Sequence, residues 1–414
     1  MPKEKPIFIS LSPNTEKDDV ILALKILFQP WIWKKKNNLL EEEFKNYFKV
    51  KYAFSFNSGR SALMAILNAL DLKEGDEVLI QAFTCNALVN PIIWLKLKPV
   101  FVDCERETLN LDIEDLKRKI SPKSKVLIIQ HTFGLPSDLK EILEICKEKN
   151  LILIEDCAHS LGATFEGRKI GTFSKAAFFS FGRDKVISSV FGGMAITDDE
   201  IIGKKIKEFW EKLENPSYFW ILQQILYPIL VELIIKPLFD FFRVGKVLLF
   251  IFQKLNILSR AVTKREKKGE KPDYFPQKMP FALSLLAQNQ FKKLEKFNQH
   301  REKIAQIYEK ELKDLNVVLP KKKEGRIWMR YSLIFDFETE FLLKKLSKNK
   351  IFLDDGWRKT PVVPPDTNLE RMKYNLGSCP QAEKVAKSIL NLPTHINITI
   401  EDAKKVVHFL KNNI

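Results

Sequence analysis

Cysteine is scarce and unorganised in this chain. There are five in 414 residues, Cys85, Cys104, Cys146, Cys157 and Cys379. Their number is odd and no CxxC pair occurs, which argues against a disulfide framework and a zinc site and fits a reducing cytoplasm. The N-terminal stretch MPKEKPIFISLSPNTEKDD lacks an apolar core and a small-residue cleavage site, so it predicts no secretory leader. Acidic residues are in deficit: 68 Lys and Arg face 52 Asp and Glu, a net charge of +16. That balance suits a nucleic acid or an anionic membrane surface. With no nucleic-acid motif in the sequence, we expect no nucleic-acid partner. What the chain has in quantity is apolar residues, 45% of the total, enough for a large core and two domains.

The first half alternates short apolar runs with helical patterns. The runs are Glu77–Ile80, Pro99–Val102, Lys125–Ile129, Leu151–Ile154, Ala176–Phe181 and Gly193–Thr197, and Asp138–Lys149 carries a helical pattern. Strands alternating with helices predict an α/β fold with a mostly parallel sheet covered on both faces. Ligands bind such sheets beyond the carboxyl ends of the strands.

The residues at those ends are chemically rich. EDCAH (155–159) follows one run, QHTFG (130–134) another, and the loop FGRDK (181–185) a third. Before the first run stands NSGRS (57–61), leading into ALMAILNAL, whose apolar positions 62, 63, 66, 67 and 70 mark a buried helical face. Small residues at a helix start leave backbone N–H groups free for a phosphate. An acid, a lysine, an imidazole and a phosphate cradle are the set that pyridoxal phosphate requires. Its aldehyde condenses with a lysine, its ring nitrogen stays protonated beside a carboxylate, and its phosphate takes backbone donors. The lysine must also lose its proton more easily than in water, which desolvation and neighbouring positive charge achieve.

Five stretches in order carry a resemblance. They are LEEEFKNYFKVKYAFSFNSGRSAL (40–63), DEVLIQAFTCNALVNPIIWLKLKPVFVDCE (76–105), VLIIQHTFGLPSDLKEILEICKEKNLILIEDCAHSLGA (126–163), GTFSKAAFFSF (171–181) and CPQAEKVAKSILNLPTHINITIEDAKKVVHFLK (379–411). Together they resemble the DegT/StrS-type sugar aminotransferases, pyridoxal-phosphate enzymes of the aspartate-aminotransferase fold (fold type I). The resemblance implies Lys185 as the lysine that carries the cofactor and moves the proton, and Asp156 as the partner of the ring nitrogen. It places His159 near the phenolic oxygen, Ser58, Gly59 and Ser180 at the phosphate, and His131 and Cys85 beside the ring. Arg60 and Arg183 become candidate phosphate contacts. It further implies a keto-sugar substrate, nucleotide-linked, an amino-acid donor such as glutamate, and a homodimer. A large domain over 1–204, continuing to about 299, precedes a small α+β domain over 300–414.

Each residue also has a plainer reading. Lys185 is one of many lysines and fits a solvated loop; Asp156 fits a turn cap. His131 and His159 fit hydrogen-bonded core positions, Cys157 a small core residue, and Arg60 a helix surface. The chain also departs from the family pattern. Cys85 stands where many relatives have an aromatic, and Gly182-Arg183-Asp184 replaces an aromatic-proline pair. The pair Gly192-Gly193 comes early, and Pro276-Gln277-Lys278-Met279 stands for an Asn-x-Arg-Met stretch that reaches the partner subunit. A dehydratase on the same fold would carry histidine in place of Lys185. A non-catalytic protein of this fold would act through its insertion.

That insertion, 205–275, is the largest departure. Asn215 to Val231 is 17 residues without charge, interrupted by Pro228, at the lower bound for a membrane span. Lys236, Arg243 and Lys246 follow, then VLLFIF, and from Lys254 to Lys271 seven basic and two acidic residues, net +5. Apolar helices flanked by Lys and Arg suit an anionic membrane surface, as do the tryptophans beside lysines in ILFQPWIWKKK (26–36). The alternative is a helical insertion packed on its own domain or on the dimer. The expected location is the cytoplasm, peripheral on the inner face of the membrane.

Overall fold

The computed structural model describes residues 5–239 and 244–414; Arg243 of the insertion lies outside the described residues. Seven strands form the central sheet: β1 (Tyr52–Phe56), β2 (Glu77–Gln81), β3 (Lys98–Val102), β4 (Ser124–Gln130), β5 (Ile152–Asp156), β6 (Ala176–Ser180) and β7 (Gly193–Thr197). Their order across the sheet is β1-β7-β6-β5-β4-β2-β3. Neighbours run parallel except β7, which is antiparallel to both β1 and β6. Every apolar run read from the sequence is a strand to within two residues, and the expected helix is Leu139–Glu148. The runs do not alternate in polarity because both faces are covered. Leu79, Leu127, Leu153 and Phe179 enter one core cluster, while Val78, Ile80, Ile128, Ile154 and Phe178 enter the other.

This topology brings the ends of β1, β4, β5 and β6 to one edge, where β7 starts. Gly193 pairs with Phe56 on one side and Ser180 on the other, and Asp156 pairs with Gln130 and Phe178. A Cβ on Gly193 would stand 2.5 Å from Gly59 N and Ser58 C. Glycine there lets the turn after β1 close onto the sheet.

Four helices bear on the site: α1 (Lys17–Leu27), α2 (Gly59–Asn68), α3 (Tyr218–Leu230) and α4 (Val244–Lys254). The smaller unit has its own core around the antiparallel pair Tyr331–Ile334 and Ile389–Leu392, and the helix Leu294–Leu312 joins the two units, Leu294 and Phe297 entering the large core and Ile304, Tyr308 and Leu312 the small one. The N-terminus joins the smaller unit: Ile7–Phe8 pairs with Ile351–Phe352, and Ile7 and Ile9 sit in that core rather than in the large domain's.

The insertion divides into unlike parts. Tyr218–Leu238 is 21 residues and apolar enough to cross a membrane, yet 56% of an apolar 18-residue window within it is buried in the protein. Its helix α3 packs on α1 and on the helix Phe281–Phe291, burying Trp220, Ile221, Ile225 and Tyr227. The following α4 buries only Gly245. The tryptophans at 31 and 33 also separate: Trp33 is buried, its Nε1 donating to Ile26 O at 2.8 Å, while Trp31 is exposed.

Candidate active site

A cavity of about 540 Å³ opens at the sheet edge where the strand ends meet. Asp156 and Ser180 come from the ends of β5 and β6, Gly59 and Arg60 from the start of α2, and Lys185 with Arg183 from the loop after β6. His159 and Cys85 also line it; of the expected residues, Ser58 and His131 do not.

The lysine loop is fixed from behind. Asn14 Nδ2 donates to Lys185 O at 2.5 Å and Val186 O at 3.2 Å, and the buried Arg301 donates to Val186 O at 2.7 Å. Burial pushes the Lys185 ammonium below the usual lysine range; the charge of Arg330 adds to this, and Cys85, Asp156 and Asp184 act against it. Among the described residues the Asp156 carboxylate accepts one hydrogen bond, from Ala158 N at 2.9 Å. Burial pushes its carboxyl up to about 6, with that hydrogen bond, Lys185 and His131 pulling the other way. A buried carboxylate with so few donors fits a cationic ring N–H, which would stabilise its charge.

At the other wall, Ser58 caps α2, its Oγ accepting from Ser61 N at 3.1 Å. Ser58 Oγ therefore faces the helix backbone, which leaves the first backbone N–H groups of α2 as the donors available to an anion there. A Cβ at Gly59 would meet Ser180 Cβ at 3.1 Å, so the turn and the strand end approach closely. These residues fit pyridoxal phosphate: free backbone donors at the start of α2, a carboxylate short of donors, and a lysine of lowered pKa line one cavity.

His159 Nδ1 accepts from Phe133 N at 3.4 Å, which leaves the ring proton on Nε2. The imidazole stacks on Phe133 at 5.3 Å and 7°, with Trp357 edge-on at 5.0 Å. Burial and the charges of Lys185 and Arg330 hold it well below the usual histidine range, so it is neutral. Cys85 pairs with Val363 in a short parallel bridge between the two units, and burial pushes its thiol up.

Two expected contacts sit elsewhere. His131 lies behind Asp156, away from the cavity wall. Its Nδ1 accepts from Ser137 N at 3.1 Å and its Nε2 faces Glu155 at 3.3 Å, which makes it a hydrogen-bonded core histidine. His131, Glu155 and Cys157 also form a buried cluster of metal-ligating types, but hydrogen bonds already occupy the imidazole and the carboxylate. Arg60 lines the cavity, but its guanidinium pairs with buried Glu266 at 2.7 Å and donates to Ala261 O at 2.9 Å. Its anion partner is a carboxylate of this chain rather than a ligand phosphate.

Several wall residues escaped the sequence reading. Arg330 pairs with Asp355 at 3.3 Å, both buried, and Trp357 packs against Phe83, Phe133 and His159. All three belong to the small unit and follow no motif spacing. Tyr227, Arg260 and Lys267 reach the wall from the insertion.

The DegT/DnrJ/EryC1/StrS aminotransferase family profile matches residues 15–215 and 257–411, leaving out the middle of the insertion. The chain is 30% identical over 431 aligned positions to "Uncharacterized protein MJ1066" of Methanocaldococcus jannaschii, covering 98% of this chain and 96% of that one. It is 37% identical over 189 residues to the GDP-perosamine synthase of Vibrio cholerae, covering 43% of this chain and 52% of the relative. Among solved structures, the putative sugar aminotransferase Spr1654 of Streptococcus pneumoniae superposes with a TM-score of 0.76 over 98% of both chains at 18% identity. PseC, the Helicobacter pylori aminotransferase of pseudoaminic acid biosynthesis, gives 0.74 over 99% of both at 19% identity. The chain belongs to the DegT/DnrJ/EryC1/StrS family and is a pyridoxal-phosphate-dependent aminotransferase of the sugar aminotransferase type.

Proposed function

We propose that the enzyme converts a nucleotide-linked keto sugar to an amino sugar, with glutamate as donor, for a surface glycan. The observation that carries this reading is the placement of Lys185 and Asp156 in one cavity, the lysine pushed down and the carboxyl pushed up. When bound, pyridoxal phosphate supplies an aldehyde that receives the amino group and a protonated ring that draws electrons from the substrate carbon. Lys185 carries the cofactor and, once released, moves a proton on its Nζ in each half-reaction. Asp156 holds the proton on the ring nitrogen. His159 donates from Nε2 toward the phenolic oxygen, and Gly59 and Ser180 hold the phosphate, with Ser58 shaping the turn.

A dehydratase on this fold is the competing enzyme reading, and the Escherichia coli GDP-4-keto-6-deoxy-D-mannose-3-dehydratase superposes with a TM-score of 0.75 at 21% identity. Lysine at 185 favours transamination. Borohydride reduction of the loaded protein followed by peptide mapping tests the assignment. A phosphopyridoxyl group on Lys185 supports it; an adduct on another lysine, or none, overturns it. A panel of nucleotide-linked keto sugars with glutamate then tests the substrate class.

We also propose a homodimer that rests on the inner face of an anionic membrane through α4. Val247, Phe250, Ile251 and Leu255 are exposed at one-face helical spacing, Phe250 at 61% and Leu255 at 63%, with exposed Lys246 and Lys254 beside them. Vesicle flotation tests this. Wild type should float with phosphatidylglycerol vesicles, and a variant with Phe250→Ser, Ile251→Ser and Leu255→Ser should not. Loss of the dimer in that variant, with no flotation of wild type, would mean that a second copy covers the helix.

A further inference from the structure

The insertion returns to the large domain through an arm that is fastened over the cavity. Glu266 is fully buried, pairs with Arg60, and accepts from Thr263 N and Oγ1 at 2.8 and 2.9 Å. Asn90 Nδ2 donates to Glu266 O, and Trp94 Nε1 to Gly269 O, both at 3.0 Å. With the arm tied down, Arg260 stands half-buried in the wall of the cavity that holds Lys185. Among the described residues no carboxylate pairs with its guanidinium. The wall's other cations are mostly committed: Arg60 to Glu266, Lys267 to Asp366 at 2.6 Å, Arg330 to Asp355.

Besides Lys185, Arg183 is the exception. It is only 6% exposed, and its Nε has no hydrogen-bond partner. The insertion holds it: its guanidinium lies 4.0 Å from the Tyr227 ring centroid and donates to Ser259 Oγ, which itself donates to Gln224 Oε1 at 2.6 Å. Asp184, in the same wall, is the carboxylate nearest in sequence, and its Oδ1 has no partner either. A guanidinium taken out of water without a paired carboxylate is costly. A bound anion would remove that cost.

We propose that Arg260 and Arg183 form a second anion subsite, separate from the start of α2, that takes the phosphate or diphosphate group carried by the sugar substrate. The insertion supplies it within the same chain, by contributing Arg260 and by holding Arg183. This rests on the sugar-substrate reading above and names the group by which that sugar is held. A nucleotide and a lipid carrier both offer a diphosphate, so the shared chemistry is what the subsite recognises.

The test is calorimetric titration of the pyridoxal-phosphate-loaded protein with inorganic pyrophosphate at fixed ionic strength, cofactor content being checked by absorbance. Wild type should bind, Arg260→Gln should weaken binding about tenfold or more, and Arg260→Lys should recover part of it. Unchanged affinity in Arg260→Gln, or no binding by fully loaded wild type, overturns the proposal. Should Arg260→Gln fail to fold, Arg260→Lys decides: loss of the forked donors should weaken binding, and affinity equal to wild type overturns the subsite. Competition separates the sources. Tighter binding of a nucleoside diphosphate than of pyrophosphate supports a nucleotide carrier, and tighter binding of farnesyl diphosphate a lipid carrier. Failure of both to displace pyrophosphate counts against the subsite. Pyrophosphate binding does not need turnover, so a failed transamination assay leaves this result intact.

Discussion

Glu155 and Asp156 are neighbours on one strand, both buried, and their surroundings are opposite. Glu155 accepts from Gly171 N, Phe173 N, Ser174 N and Ser174 Oγ at 2.8 to 3.0 Å, and from His131 Nε2 at 3.3 Å. Burial alone would raise its carboxyl, but these donors hold it below the usual range. Asp156 has Ala158 N and little else, and rises to about 6. A strand turns successive side chains to opposite faces, so one carboxylate serves the fold and the other is left open to a ligand. A fully satisfied buried acid is structural; a buried acid short of donors in a cavity wall marks a site.

The sharpest way to break this contrast is to neutralise each acid in turn. Asp156→Asn should lower kcat/KM by about 10²–10³-fold, the scale for loss of a preorganised charge at the reacting group. Steady-state kinetics on the folded, cofactor-loaded variant measures it. Glu155→Gln should act on the fold instead, costing about 3–5 kcal/mol as its donors lose a charged acceptor. Urea unfolding measures that cost.

The stability of the cofactor-free protein should also separate the two with pH. Asp156 binds its proton more tightly folded than unfolded, so the apoprotein loses stability as pH rises from about 3.8 to about 6. The full effect is about 3 kcal/mol, from the shift of about two units. Asp156→Asn removes it, so at pH 7 the apo variant should be more stable than wild type while being far less active. Glu155 has the opposite sign: its contribution is present above the ordinary carboxylate value and lost as pH falls through its lowered folded value. The smallest effect belongs to His131→Asn. It should cost about 1 kcal/mol from one lost hydrogen bond, seen as a modest fall in Tm, because the imidazole supports Glu155 from behind the cavity.

The sheet was legible because parallel strands covered on both faces read as unbroken apolar runs, and the topology then places their ends together. Lys185 and Asp156 were legible for the same reason, since they follow those runs closely, whereas Gly59 was read from the small residues ahead of an apolar helix. Arg330, Asp355 and Trp357 were not, since they reach the cavity from the small unit through long-range packing with no spacing of their own. The run Lys254–Lys271 reads by its charge as suited to an anionic membrane surface, and that pattern does not disclose its contacts within the protein: Glu266 is fully buried against Arg60 and Lys267 is paired with Asp366.

The most direct test of the account is the protonation state of the cofactor's ring nitrogen, read by ¹⁵N NMR with ring-labelled pyridoxal phosphate. Wild type and Glu155→Gln should show a protonated ring nitrogen, and Asp156→Asn a neutral one at the same pH. A ring that stays protonated in Asp156→Asn would contradict the assignment of Asp156 and the division of the strand into a structural and a functional face.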